Sequence, residues 1–181
     1  MKKAGAVLLG IAAFAAVPVL AHDDEGARFG GNLVGYQENP TLSTPGYGCF
    51  DMQIDERRGE VHWELSYADL ESAVQQAHIH IGRPAINGNI FVFLCTNLGN
   101  APAAPAQPTQ PCPPAPATIS GTFTANDIIT TTQGISAGEL EEALNAIRNR
   151  AAYANVHTTG RPGGEIRAQL RRGHSRGGDH D

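Results

Sequence analysis

Two histidines sit two residues apart in the run Ala77-His78-Ile79-His80-Ile81-Gly82, with apolar residues between and around them. On a β-strand the side-chain period of two sends both imidazoles to one face and Ala77, Ile79 and Ile81 to the other. Their Cα atoms would stand about 6–7 Å apart, close enough for the ring nitrogens to share one metal ion with bonds of roughly 2 Å. A third histidine, His157, lies in a second strand-like run, Tyr153-Ala154-Asn155-Val156-His157-Thr158. Imidazole suits copper and zinc, and copper binds tightest among the common divalent ions. Three histidines from two strands, with a fourth position open, would make a catalytic or carrier geometry. The competing reading is structural: His78 and His80 bond backbone or carboxylate groups at a barrel mouth, and His157 caps a turn.

The elements that must position these residues read mostly as strands. Phe29 to Gln37 is a first strand, with Phe29 and Leu33 on one side, ended by Glu38-Asn39-Pro40. Tyr47 to Ile54 follows, with Phe50, Met52 and Ile54 on one face, and Asp55 to Gly59 is a polar hairpin loop. Glu60 to Tyr67 alternates most cleanly: Val61, Trp63, Leu65 and Tyr67 face in, while Glu60, His62, Glu64 and Ser66 face out. That pattern belongs to an antiparallel sheet with one wet face, and it makes His62 an exposed strand histidine. The histidine strand spans Gln75 to Ile81, the Asn87-Gly88 pair marks a turn, and Asn89 to Cys95 is a buried strand. Thr118 to Thr124 and Ala152 to Thr158 are further strands. In the last strand, Glu165 to Arg171, Ile166, Ala168 and Leu170 point in while Glu165, Arg167 and Gln169 point out. A single helix is expected over Ser136 to Arg150, with Ser136 and Glu139 as a capping box and Leu140, Ala143, Leu144 and Ile147 as its apolar face. About eight strands and one crossover helix argue a mainly β fold, an antiparallel Greek-key sandwich or barrel.

Residues 1–21 read as a signal peptide: Lys2 and Lys3, an apolar run from Ala4 to Val17, and a small-x-small site at Val19-Leu20-Ala21. The run is too short for a membrane span, so cleavage after Ala21 and a secreted or periplasmic chain with no stable span are expected. The signal holds both lysines of a chain whose formal charge is −5. The remainder lacks the basic excess of a nucleic-acid binder. It is long enough for one domain, 29–171, between a flexible N-terminus at 22–28 and a disordered tail at 172–181. Residues 100–117 are proline-rich and read as a spacer loop between strands. Three cysteines suit an oxidising compartment. A Cys95–Cys112 bridge would contribute roughly 3 kcal/mol. Three cysteines allow three single pairings, so Cys49 is either an alternative partner or a buried small apolar residue. His22-Asp23-Asp24, with His174 and His180, reads as solvated chain ends, or as a weak metal scavenger.

Four runs together resemble the CHRD domain, the repeat first noted in chordin. Leu33-Val34-Gly35-Tyr36-Gln37-Glu38-Asn39-Pro40 is similar to its opening motif, and Gly48-Cys49-Phe50 to its next element. Ala77 to Gly82 with Asn87-Gly88 is similar to its central motif. Tyr153 to Thr158 and Pro162 to Leu170 are similar to its closing motif. Thr41 stands where the family often has a second proline, and Ala168 where it has a glycine. The proline-rich insertion and the cysteine pair also lie outside the common pattern. The resemblance implies an immunoglobulin-like barrel akin to copper–zinc superoxide dismutase, and an extracytoplasmic module binding a protein or cell-surface component.

By alternation Tyr153 and Asn155 share the face of His157, and Glu38, Glu165 and Arg167 are further candidates to surround an ion. Glu38 and Arg167 could also pair as buried ions. Dismutase chemistry needs a histidine bridging two metals and further zinc ligands, and no histidine lies between His80 and His157. No nucleophile elbow, phosphate loop, zinc-finger pair or dinucleotide fingerprint is present. Two classes of function therefore remain: a binding module without turnover, leaning away from an enzyme, and a copper- or zinc-dependent redox or carrier protein.

Overall fold

The structure is a computed structural model that describes residues 26–102 and 108–173. The expected signal peptide, His22, His174 and His180 lie outside the described residues. Nine strands form one sheet: β1 Arg28–Val34, β2 Tyr47–Asp55, β3 Glu60–Ala68, β4 Val74–Ile81, β5 Ile90–Thr96, β6 Ala117–Thr124, β7 Ala152–Thr158, β8 Ile166–Gln169 and β9 Arg171–Arg172. The strand order is β5-β4-β7-β8-β1-β2-β3-β6, with β9 also on β1. Every pairing is antiparallel. β1 to β3 are joined as hairpins, whereas β6 crosses to β3 and β8 returns to β1. These are the crossed connections of a Greek key. The sheet curls until its ends nearly meet. Beyond the β5 edge, Ile129 N–H donates to Phe91 O and Thr96 N–H to Gln110 O, so the segments flanking β6 cover that edge.

Alternation fills the barrel. Phe50, Met52 and Ile54 of β2 and Val61, Trp63, Leu65 and Tyr67 of β3 are all buried. They meet Ala77 and Ile79 of β4, Ala154 and Val156 of β7, and Ile166 and Ala168 of β8. The alanines on β4, β7 and β8 leave room for the larger side chains opposite. Cys95 and Cys112 are bridged at a sequence separation of 17, which ties the proline-rich loop to β5.

Several boundaries differ from the sequence reading. The first strand ends at Val34, where a 3-10 turn at Gly35–Gln37 takes over. The helix α1 is shorter than expected, Leu140–Arg148. Ser136 does not cap it: the Glu139 carboxylate accepts from Ser136 N–H at 2.7 Å, but the chain then turns through Gly138 at φ 86° before the helix begins. The motif closes a turn instead, and Ala143, Leu144 and Ile147 remain the buried face. The last strand breaks after Gln169. Cys49 is not a buried apolar residue: it is half-buried, and its Sγ lies 3.3 Å from Asp51 Oδ2. Alternation places Glu165, Arg167 and Gln169 on the outer face, and the structure adds what covers them. They point away from the barrel interior, yet all three are buried.

Candidate metal centre

The reason is a second, polar layer. The outward face of β4, β7 and β8 carries His78, His80, Tyr153, Asn155, His157, Arg167 and Gln169, placed side by side by register. His78 pairs with Asn155 and His80 with Tyr153 across β4–β7. Asn155 pairs with Arg167 and Tyr153 with Gln169 across β7–β8. Three segments roof this face: the turn ending at Glu38, the loop at 82–89 and the loop at 159–164. Beneath them His78 is 0%, His80 7% and His157 6% exposed.

The three imidazoles are brought together. Each offers a nitrogen within 4.8 Å of the nitrogens offered by the others. His78 Nδ1 and His157 Nε2 are 3.2 Å apart, within hydrogen-bond distance. Two backbone carbonyls fix the proton positions. His80 Nδ1 lies 2.9 Å from Gly88 O and His157 Nδ1 2.9 Å from Pro162 O. A carbonyl only accepts, so both rings are Nδ1–H tautomers and their Nε2 atoms present lone pairs. Gly88 supplies its carbonyl from a position no other residue could take, since a Cβ there would meet Ile81 O at 1.5 Å.

The rings are neutral at pH 7. Burial drives His78 down to about 2, helped by its two histidine neighbours. Burial likewise lowers His80 to about 4, against the Gly88 bond, and pushes His157 down. His78 Nε2 and His80 Nε2 have no hydrogen-bond partner, although buried polar atoms are ordinarily satisfied. His157 Nε2 also lies 3.0 Å from Asn155 Oδ1. That is a contact between two acceptors unless the amide is turned or a cation sits nearby. Orphaned nitrogens on His78 and His80, beside the unprotonated Nε2 of His157, fit copper or zinc in donor type and number.

The remaining candidates divide. Tyr153 stacks on His80 with centroids 4.7 Å apart and planes at 5°, and Arg167 Cζ sits 3.3 Å over the other part of this column, the Tyr153 ring. Glu38 is buried and its carboxyl is pushed up to about 7 by burial, against the pull of Arg167 and a hydrogen bond from Asn155. Gly164 packs so tightly there that a Cβ would meet Glu38 Oε1 at 2.5 Å. Glu165 is engaged elsewhere: it accepts from Thr44 Oγ1 at 2.8 Å, Glu71 N–H at 2.8 Å and Thr158 Oγ1 at 2.7 Å. His62 is exposed on β3 beside Thr122 and takes no part in the cluster. Phe93, whose ring meets His78 edge-on at 4.4 Å, was not anticipated, and neither was Gln169, which donates to three backbone carbonyls. Phe93 follows from alternation along β5, whereas the partners of Gln169 come from loops with no periodic signal.

The fold and this layer define a near-closed antiparallel β-barrel with a buried histidine cluster on one outer face. The family model for the CHRD domain matches residues 29–170, nearly the whole chain. The chain belongs to the CHRD family. No curated protein and no solved structure matches it. Among the described residues no helix is long and apolar enough to cross a membrane.

Proposed function

We propose that this chain is a secreted or periplasmic CHRD-type interaction module whose fold holds one copper or zinc ion through His78, His80 and His157. The observation that carries the metal reading is the convergence of three buried imidazoles: carbonyl bonds leave the Nε2 atoms of His80 and His157 unprotonated, and no protein group meets His78 Nε2 or His80 Nε2. Such an ion would cross-link β4 to β7 and could carry an electron if it were copper. The burial of the three rings keeps substrates from reaching it directly. This favours a structural or carrier ion over a dismutase-like centre, and a module that acts through its surface. The cysteine bridge and the family support an oxidising compartment.

The test is metal content. Mature chain loaded with copper or zinc and dialysed should retain about one ion per chain. His78→Ala, His80→Ala and His157→Ala should each weaken binding at least tenfold by chelator competition. Equal, sub-stoichiometric metal in all four proteins would sink the site. Metal content unchanged by the substitutions, with a large loss of thermal stability, would assign the histidines to structure alone.

A further inference from the structure

We propose that Arg167 is the positioning residue of the histidine cluster: it braces the 82–89 loop so that Gly88 O holds His80 in the Nδ1–H tautomer with Nε2 open. The inference rests on the metal reading above and deepens it.

Arg167 reaches His80 by two routes. Through the loop, Nη1 donates to Asn87 Oδ1 at 3.2 Å, and Nη2 donates to Arg83 O at 3.2 Å and Ile86 O at 2.9 Å. These acceptors span the loop up to Gly88, whose carbonyl meets His80 Nδ1. Through the ring column, the guanidinium lies on Tyr153 and Tyr153 lies on His80. The two routes join, because Gly88 N–H donates to Tyr153 Oη at 3.2 Å. Three loop oxygens and one ring face thus contact a single side chain that is 1% exposed. The pattern requires a planar fork with several donors and a flat face for stacking. Lysine offers a compact point charge in its place. A loop left unbraced lets Gly88 O move, and free imidazole then divides between its two tautomers, one of which puts a proton where the ion should bind.

The test compares wild type with Arg167→Lys by ¹⁵N NMR of the histidine side chains, in metal-free protein at pH 7.5. Wild-type His80 should show the Nδ1–H tautomer alone. Arg167→Lys should show a mixture at His80, with the His157 tautomer kept by Pro162 O. Copper or zinc affinity should fall roughly 10–100-fold, with one ion still bound at saturation. An unchanged His80 tautomer in a folded Arg167→Lys protein overturns the proposal. If that variant does not fold, the exposed Asn87→Asp, which keeps the acceptor for Arg167 but loses the bond to Asn39 O, is compared with Asn87→Ala, which loses both: mixing at His80 in Asn87→Ala and not in Asn87→Asp supports the brace, and a pure Nδ1–H signal in both overturns it. The tautomer is read without metal, so failure of wild type to bind any ion would refute the metal reading and leave this result standing.

Discussion

Strand β3 has one dry face and one wet one. Val61, Trp63, Leu65 and Tyr67 are buried, while His62 and Glu64 are exposed. Strand β7 is dry on both faces: every residue from Ala152 to Thr158 is buried, and so is all of β8. On β7 and β8 the inner face is alanine, valine and isoleucine with Thr158 at its end, and the outer face is tyrosine, asparagine, histidine, arginine and glutamine. The barrel therefore has two interiors. One is apolar and driven by the loss of hydrated surface. The other is polar, and among the described residues it holds the buried side-chain atoms left without a partner, on Glu38, His78, His80 and Gln169. A polar layer of this kind is weak as a source of stability and strong as a source of geometry. That is the arrangement expected where side chains must be held for a purpose other than packing.

The largest expected difference between the two interiors comes from removing volume. Ile79 points into the apolar barrel from between the two histidines and is fully buried. Ile79→Ala should cost about 3 kcal/mol by urea denaturation at pH 7.5 while leaving metal stoichiometry intact. Loss of metal together with stability would mean that the two interiors are not separable.

A smaller effect compares like with like on the outer faces. Glu165 is 0% exposed and accepts from two hydroxyls and one backbone N–H. Glu165→Ala orphans these donors and should cost about 2 kcal/mol. Glu64→Ala on the wet face of β3 should change stability by no more than about 0.5 kcal/mol. Equal costs, measured by the same urea titration, would erase the distinction between the faces.

This contrast also explains what could be read from the residues. Alternation located β3, β4 and β7, placed His78 and His80 on one face, and put Tyr153 and Asn155 with His157. It could not tell a wet outer face from a roofed one, because Glu64 on β3 and Glu165 beside β8 are the same residue type at equivalent phases. The roof consists of loops, whose geometry depends on close approaches such as Gly88 against Ile81 O. The Asn87-Gly88 turn was visible as a turn, but its carbonyl as the partner of His80 was not. The helix start failed for a related reason: Ser136 and Glu139 have the spacing of a capping box, and Gly138 between them takes the chain into a turn.

The effect that best separates the polar interior from the apolar one is a pH slope. Glu38 has a folded-state value raised to about 7 by burial, above the ordinary 4.5. The unfolded chain therefore gives up that proton more easily than the folded one. Stability contributed by the protonated carboxyl is complete below about pH 4.5 and is lost as pH rises through 7. The histidines run the other way. Their values are lowered, to about 4 for His80 and about 2 for His78, so the stability tied to their neutral forms is present above about pH 6.5 and is lost as pH falls below it. Glu38→Gln keeps the shape and cannot ionise. The histidine slope is common to both proteins and cancels in the difference between them. In metal-free protein the variant should match wild type near pH 4.5 and exceed it by about 3 kcal/mol at pH 8, read from paired urea titrations. Parallel curves would mean that Glu38 is solvated. A variant less stable than wild type at pH 8 would mean that attraction to Arg167 outweighs burial, and that the polar interior holds a true ion pair.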